Sequence, residues 1–307
     1  MAQSGGVGTR HERRQGRVMD RVRQAIIPAA GWGTRLLPLS HAVPKELLPI
    51  GRKPALQWIA EELADAGIEH LILVANPSKL PVERLFQSDR RLEASLTSRD
   101  QSAKLGALWS HGPYASVRVS VTYQEQQLGL GHAVACGRSQ LGPGPFAVAL
   151  GDSLIGPPGT ASVMARLLAA FESHRAAAAI AFENVAIEQV SQYGIAHPGS
   201  DDPVFELHDI VEKPSMDQAP SRLAVAARYV FSEDIFHAID ATPRGVGGEF
   251  QLTDAIRNLI RAGQRVVGVR LTDDEQRFDV GSYESYCRAI LAYMDYEAAV
   301  SPRGTGL

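Results

Sequence analysis

An alternating α/β fold around a largely parallel sheet is predicted by three features of this chain. Short apolar runs of strand length recur along it, segments of helical periodicity separate them, and glycine-rich or acidic motifs stand directly after the strands. The run Ala25-Ile26-Ile27-Pro28-Ala29-Ala30 is the first strand. Pro54 to Ala66 has helical spacing and stops at Gly67, and Leu71 to Ala75 is the next strand. Strand, helix and strand with short connections imply a right-handed crossover and parallel pairing. Residues 81–112 are polar and mixed and are expected to be helical, whereas Val117 to Tyr123 alternates as a strand does. Gly131 to Arg138 reads as a helix and Phe146 to Leu150 as a buried strand. The second half repeats this grammar less regularly. It offers an Ala-rich helix from about Ala161 to Ala177, a strand Ala178 to Phe182, and strands near Ile210 to Glu212 and from Ala224 to Phe231. A last helix runs from Tyr283 to about Ala299, Gly142 to Pro145 and His197 to Pro203 read as loops, and no internal repeat is present.

Composition narrows the function. With 307 residues, 45% of them hydrophobic, the chain can bury a large core. The formal net charge of -3 hides a split: residues 1–24 carry six Arg against Glu12 and Asp20, a local +4 that leaves -7 for the rest. A main body of that charge gives no support to nucleic-acid binding and suits a small charged metabolite better. Cys136 and Cys287 are the only cysteines, too few for a disulfide framework and without zinc-site spacing. No apolar run approaches the roughly 18 residues needed to cross a bilayer, and no signal-like apolar segment opens the chain, so no membrane role is expected and the cytoplasm is the expected compartment. Residues 1–23 have almost nothing to bury and read as a disordered basic tail, with Met19 as an alternative start.

Gly31-Trp32-Gly33-Thr34-Arg35 follows the first strand, where backbone N–H groups free of side-chain bulk can turn towards a phosphate. A dinucleotide fingerprint would need a third glycine where Leu36 stands, and Pro38 interrupts the helix that should follow. A Walker loop would need Gly-Lys-Ser/Thr. The loop instead continues as Leu36-Leu37-Pro38 and, a few residues on, Pro44-Lys45-Glu46-Leu47-Leu48-Pro49. Arg35 offers a planar fork for phosphate oxygens and Lys45 a mobile point charge.

The whole string resembles the signature of sugar-1-phosphate nucleotidylyltransferases, and the resemblance runs from about residue 24 to 295. Gln124-Glu125-Gln126-Gln127-Leu128-Gly129-Leu130-Gly131-His132-Ala133-Val134 resembles the base-binding segment of the uridylyltransferase branch. So do the stretches Ala219 to Val230 and Gly248 to Ile256. The resemblance implies a Rossmann-like three-layer nucleotidyltransferase fold with a mixed, mostly parallel central sheet. It implies one domain over 24–300, with a nucleotide-binding half at about 24–155, a sugar-phosphate half at about 156–282 and a C-terminal helix. Ala29, Ala30, Gly31, Gly33, Thr34, Gln124 and Gly129 would bind the nucleotide, Gln124 reading a pyrimidine edge with its amide. Arg35, Lys45 and Lys213 would be the catalytic cations. Asp152, in Leu150-Gly151-Asp152, and Asp279, in Phe278-Asp279-Val280-Gly281, would hold Mg2+. Asp152, Tyr193, Gly194, Glu212 and Lys213 would meet the sugar phosphate. UTP and glucose 1-phosphate are the implied substrates, and a homo-oligomer, dimer or tetramer, is the implied assembly.

Three positions depart from the pattern: Trp32 is larger than usual, Gly151 replaces a proline and points towards the thymidylyltransferases, and Tyr283 stands where a lysine is usual. They leave open dTTP as the nucleotide and another hexose as the sugar. A catalytically silent nucleotide-binding homologue is the alternative of a different class, and His132 reads as structural rather than as an acid or base. Because the tail carries so little apolar surface, deleting residues 1–18 is expected to leave the melting temperature within about 1 °C of the full chain in scanning calorimetry.

Overall fold

The first five strands carry the chain through the nucleotide-side motifs of the sequence. In the computed structural model, which describes residues 21–79, 81–156 and 162–300, β1 (Gln24–Ala29) leads to a short helix α1 (Leu39–Ala42) and a small hairpin, β2 (Pro49–Ile50) with β3 (Lys53–Pro54). Helix α2 (Ala55–Asp65), β4 (His70–Ala75), α3 (Arg90–Ser98) and β5 (Arg118–Tyr123) follow. Then come α4 (Leu130–Gly137), β6 (Phe146–Ala149), β7 (Ser153–Gly156) and α5 (Val163–His174). The remaining elements are β8 (Ala178–Asn184), β9 (Gly194–Pro198), β10 (Val204–Glu212), β11 (Leu223–Phe231), α6 (Asp234–Asp240), α7 (Leu252–Arg261), β12 (Val266–Arg270), β13 (Gln276–Asp279) and α8 (Tyr283–Val300).

Nine strands form one mixed sheet in the order β5-β4-β1-β6-β11-β8-β12-β10-β9. Four neighbouring pairs are parallel, β5 with β4, β4 with β1, β1 with β6, and β8 with β12. The other pairings, β6–β11, β11–β8, β12–β10, β10–β9 and β11–β9, are antiparallel. Parallel pairing therefore dominates the first half of the sheet and not the second. The antiparallel part is built largely from β9, β10 and the bulged β11. Because β1, β4, β5 and β6 are parallel, their carboxyl ends share one edge, where open α/β sheets take ligands.

Side-chain alternation along the strands separates two apolar layers. Ala25, Ile27, Leu71 and Leu73 face Leu56, Ile59 and Leu63 of α2, and the same layer includes Met164, Leu167 and Phe171 of α5. Ile26, Ile72, Val148 and Ile180 face the other way, towards Val134 of α4, Phe236 of α6 and Ile256 of α7. Helices thus cover both faces of the sheet, giving the three layers. A third apolar cluster joins Leu36, Ile50, Leu154 of β7 and Phe278 of β13 to Ala289 and Tyr293 of α8.

Several boundaries differ from the sequence reading. The stretch 81–112 is helical in pieces rather than as one helix, with the 3-10 helices Val82–Phe86 and Ser102–Ala107 on either side of α3, and no α3 residue is buried. Its order comes from Trp109, whose ring meets Phe86 edge-on at 5.0 Å. Helix α5 ends at His174 because Arg175 turns left-handed at φ 48°, and position 161, its expected start, lies outside the described residues. His197 and Pro198 belong to β9 rather than to a loop. Of the tail reading over 1–23, residues 1–20 lie outside the described residues, whereas Val22 is buried in the core and Arg23 pairs with Glu69 at 2.9 Å. Among the described residues no helix is long and apolar enough to cross a membrane.

Gly268 of β12 pairs with Phe205 of β10, and a Cβ added there would lie 2.2 Å from the buried Phe205 ring. Gly268→Ala is expected to cost about 1–3 kcal/mol of unfolding free energy in urea titrations. Combined with Phe205→Leu, it should cost less than the sum of the two single changes, because the smaller side chain makes room.

Candidate functional site

The glycine loop leaves β1 at the ligand edge of the sheet. Ala29 and Ala30 are buried, Gly33 is left-handed at φ 67°, and Thr34 to Leu36 make a short 3-10 turn that sends the exposed Arg35 outward. The loop is pinned from behind. Asn76, just after β4, donates its amide to Ala30 O at 3.3 Å, and the ammonium of Lys79 donates to Gly31 O at 2.7 Å. Lys79 also pairs with the buried Glu46 at 3.1 Å. Burial pushes the Glu46 carboxyl above its ordinary pKa against the pull of Lys45 and Lys79.

Lys45 begins the next 3-10 turn, and its ammonium forms a short ion pair with Asp152. Burial disfavours the lysine charge, but Asp152, Glu46 and Asp279 together outweigh burial and hold its pKa above the ordinary value. For Asp152 burial likewise works against the charge, and Lys45 reverses the balance so that the carboxyl sits below its usual range. Asp152 occupies the turn between β6 and β7. Strand β13 pairs with β7, placing Asp279 beside Ser153, and Val280 donates its N–H to Asp152 O at 2.7 Å. Burial first, and the negative charge of Asp152 second, raise the Asp279 carboxyl above its ordinary pKa. Arg35 pairs with Asp279 at 3.6 Å. The four residues Arg35, Lys45, Asp152 and Asp279 thus form one alternating charge cluster.

The segment expected to read the base lies at the end of β5. Gln124 is buried, its amide nitrogen donating to Gly129 O and to His132 Nδ1, both at 3.0 Å. No donor among the described residues bonds its side-chain oxygen. Gly129 adopts φ 98°, and a Cβ there would come within 2.9 Å of Phe250 O. Phe250 clamps this segment by donating its N–H to Leu128 O at 2.7 Å and accepting from Gly131 N at 2.8 Å. A cavity of about 160 Å³ opens at the same edge, lined by Ala29, Asn76, Lys79 and Tyr123.

Tyr193, Gly194, Glu212 and Lys213 are brought together by β9 and β10. Gly194 pairs with Glu212, Lys213 donates its N–H to Tyr193 O at 2.9 Å, and the Lys213 ammonium lies 3.4 Å from its neighbour Glu212. No hydrogen bond or ion pair among the described residues joins Glu212 or Lys213 directly to Lys45, Arg35 or either aspartate. Arg277, two residues before Asp279, makes the link: it lies over the Tyr193 ring at 4.8 Å and pairs with Glu183. A polar cleft of about 580 Å³ opens here, lined by Arg35, Glu183, Tyr193, Arg277 and Asp279 among others. A second cavity of about 560 Å³ lies on the α2 and α8 side of β7 and contains none of the residues marked by the sequence.

The sequence reading missed Glu46, Lys79, Glu183 and Arg277 as site neighbours. Glu46 was inside a quoted motif and Lys79 follows a strand end, so position offered a signal for both. The departures also find physical settings. Gly151 donates its N–H to Pro28 O at 3.0 Å, a bond that a proline has no hydrogen to make. Tyr283 donates its hydroxyl to Leu36 O at 3.1 Å and lies 3.3 Å from Leu37 O, so it braces the end of the glycine loop.

Residues 24–296 match the Nucleotidyl transferase family. The UTP–glucose-1-phosphate uridylyltransferase YngB of Bacillus subtilis is 38% identical over 262 residues, covering 85% of this chain and 86% of its own. A uridylyltransferase of the same name from Haemophilus influenzae is 38% identical over 276 residues, covering 88% and 92%. Among solved structures, a UDP-glucose pyrophosphorylase complexed with UDP-glucose superposes with a TM-score of 0.77 at 34% identity, over 90% of this chain and 99% of that one. A UTP-bound enzyme of that type from Acinetobacter baumannii gives 0.79 at 34% identity, over 91% and 98%. With its fold, its glycine loop and nearly its whole length matched, the chain belongs to the nucleotidyl transferase family.

Proposed function

We propose that this protein transfers the uridylyl group of UTP to glucose 1-phosphate, giving UDP-glucose and pyrophosphate. The observation that carries the proposal is the cluster of Lys45 and Arg35 with Asp152 and Asp279, set beside the glycine loop at the ligand edge of the sheet. The names of the relatives support the choice of substrates. On this reading residues 24–155 hold the nucleotide and 156–282 the sugar phosphate.

A sugar-phosphate oxygen attacks the α-phosphorus of UTP, a new P–O bond forms, and the bond to the β-phosphate breaks as pyrophosphate leaves. A phosphate monoester is largely dianionic near neutrality, with a second pKa of about 6, so the attack requires no general base. The protein must instead hold two polyanions together and in line. Arg35 and Lys45 face the β- and γ-phosphates, where charge builds on the departing group. Lys213 and Glu212 meet the phosphate and hydroxyls of the sugar, with Gly194 and Tyr193 forming the floor under the ring. Gln124 offers its unbonded carbonyl oxygen to the imide N–H of uracil.

Asp152 and Asp279 suit Mg2+. The charge of Asp152 adds to burial in raising the Asp279 carboxyl, an imbalance a cation between them would relieve, and two carboxylates are the number this ion ordinarily takes from protein, leaving phosphates and water for the rest. Bound there, Mg2+ would neutralise phosphate charge. Among the described residues no larger cluster of candidate ligands competes with this pair.

Initial rates over a matrix of nucleotides and sugar phosphates are expected to give the highest kcat/KM for UTP with glucose 1-phosphate. A higher value for dTTP or another sugar phosphate would falsify the substrate assignment. Asp152→Asn and Asp279→Asn should each lower turnover by on the order of 100-fold or more, far from additively, since both act on one charge-binding site. Near-normal turnover of folded Asp152→Asn would instead leave a silent nucleotide-binding protein, or another centre, as the better account.

Stability should move the other way for Asp279. Its folded pKa lies above the unfolded value, so its ionised form costs stability at pH above the folded pKa, and that cost disappears as pH falls through the unfolded value. Its ion pair with the exposed Arg35 offsets little of this. Metal-free Asp279→Asn is therefore expected to melt above the parent at pH 7, with the difference closing below about pH 4 in calorimetry.

A further inference from the structure

Arg228 is the largest fully buried side chain of the described residues, at 0% exposure, and nothing in the proposed chemistry uses it. Its guanidinium makes a forked ion pair with Glu62 of α2, Nη2 donating at 2.6 Å and Nε at 3.1 Å. The remaining nitrogen, Nη1, donates to Ser153 O at 2.9 Å and to Ala227 O at 3.2 Å. Ser153 is the residue after Asp152. Ala227 O also accepts the N–H of Leu150 at 3.2 Å, two residues before Asp152. The turn that carries Asp152 is therefore gripped on both sides by one dipeptide, Ala227-Arg228.

That dipeptide is itself unusual. Strand β11 loses its regular pairing with β8 between Val225 and Tyr229, and Ala227 is left-handed at φ 59°. A left-handed alanine inside a strand is strained and persists only where its surroundings fix it. The bulge turns the Ala227 carbonyl towards Leu150, and the buried fork of Arg228 holds it there.

We infer that Arg228, held by Glu62, is a positioning residue that fixes the Asp152 turn through the backbone of Ser153. The inference rests on the reading of Asp152 as a centre of the reaction. Arg228 does not touch substrate. It sets where the Asp152 carboxylate stands relative to Asp279, whose neighbour Val280 bonds the Asp152 carbonyl from the opposite side. Among the described residues, Arg228 alone of the groups hydrogen-bonded to this turn ties it to α2, and it does so with a planar fork whose geometry a lysine cannot reproduce.

Two variants test this. Arg228→Lys keeps the charge opposite Glu62, but one ammonium cannot serve the carboxylate and both carbonyls in the same geometry. Arg228→Met combined with Glu62→Leu removes the pair without leaving a buried charge unmatched, a change that is often neutral for stability. Each is measured for cooperative unfolding, for kcat and for KM of UTP, and for Mn2+ binding by electron paramagnetic resonance with UTP present and no sugar phosphate. Asp152→Asn is run in parallel.

The expected result is folded protein with kcat lowered about 10- to 100-fold, as misplacement by an ångström or so would give, KM for UTP within about twofold, and Mn2+ bound about tenfold more weakly. A folded variant of either kind with parental kcat and Mn2+ affinity overturns the inference, and failure of both to fold reduces Arg228 to a structural role and overturns it too. If Asp152→Asn itself turns over normally, the reading of Asp152 has failed. An inactive Asp152→Asn beside normal Arg228 variants sinks only the positioning role.

Discussion

Holding two carboxylates side by side is the constraint around which this site is organised. Asp152 and Asp279 are brought together by the β7–β13 pairing, and the charge of Asp152 adds to burial in disfavouring the ionised Asp279 carboxyl. Compensation comes from two directions. Lys45 and Arg35 approach from the glycine-loop side, and Arg277 adds its charge from within β13. Beneath the ribbon, Leu154 and Phe278 are locked against Tyr293 of α8, so apolar burial supplies the cohesion that the acidic ends lack. The C-terminal helix, far from the glycine loop in sequence, is for this reason part of the same construction.

A second piece of organisation joins the proposed nucleotide and sugar sides. Phe250 clamps the Gln124 to Gly131 segment through two backbone hydrogen bonds, and α7 begins two residues later. Thr253, in the first turn of that helix, lies against Gly194, where a Cβ would be only 2.7 Å from its hydroxyl. One short stretch therefore touches both the segment proposed to read the base and the proposed floor of the sugar site. Arg277 provides a parallel connection by stacking on Tyr193 two residues before Asp279. Movement of either half would be felt by the other through these contacts rather than through the sheet alone.

Strands that are buried on both faces, such as Gln24–Ala29 and His70–Ala75, announce themselves in sequence because both side-chain sets are apolar. The same clarity extended to the motifs at their carboxyl ends, since a glycine or an aspartate just after an apolar run is a local signal. Ser153–Gly156 and Gln276–Asp279 were not legible as strands: each is four residues long, mixed in polarity, and ordered by the other. Arg228 and Glu62, 166 residues apart, were invisible for a similar reason. A charged residue inside a strand or helix gives no local sign that its partner waits across the fold.

Tyr283 shows how a departure from a family pattern can be absorbed without dismantling the site. Where the resemblance led us to expect a lysine, the phenol supplies no charge, so the proposed site has one cation fewer to oppose two phosphates. What it supplies is order, because its hydroxyl binds the carbonyl ends of the turn that carries Arg35. Arg35 is two-thirds exposed, and its side chain spends entropy whenever it settles on an anion. Fixing the backbone beneath it lowers that cost for the cation that remains. Charge number and charge placement are thus partly interchangeable in offsetting the repulsion of two anionic substrates, and this chain leans towards placement.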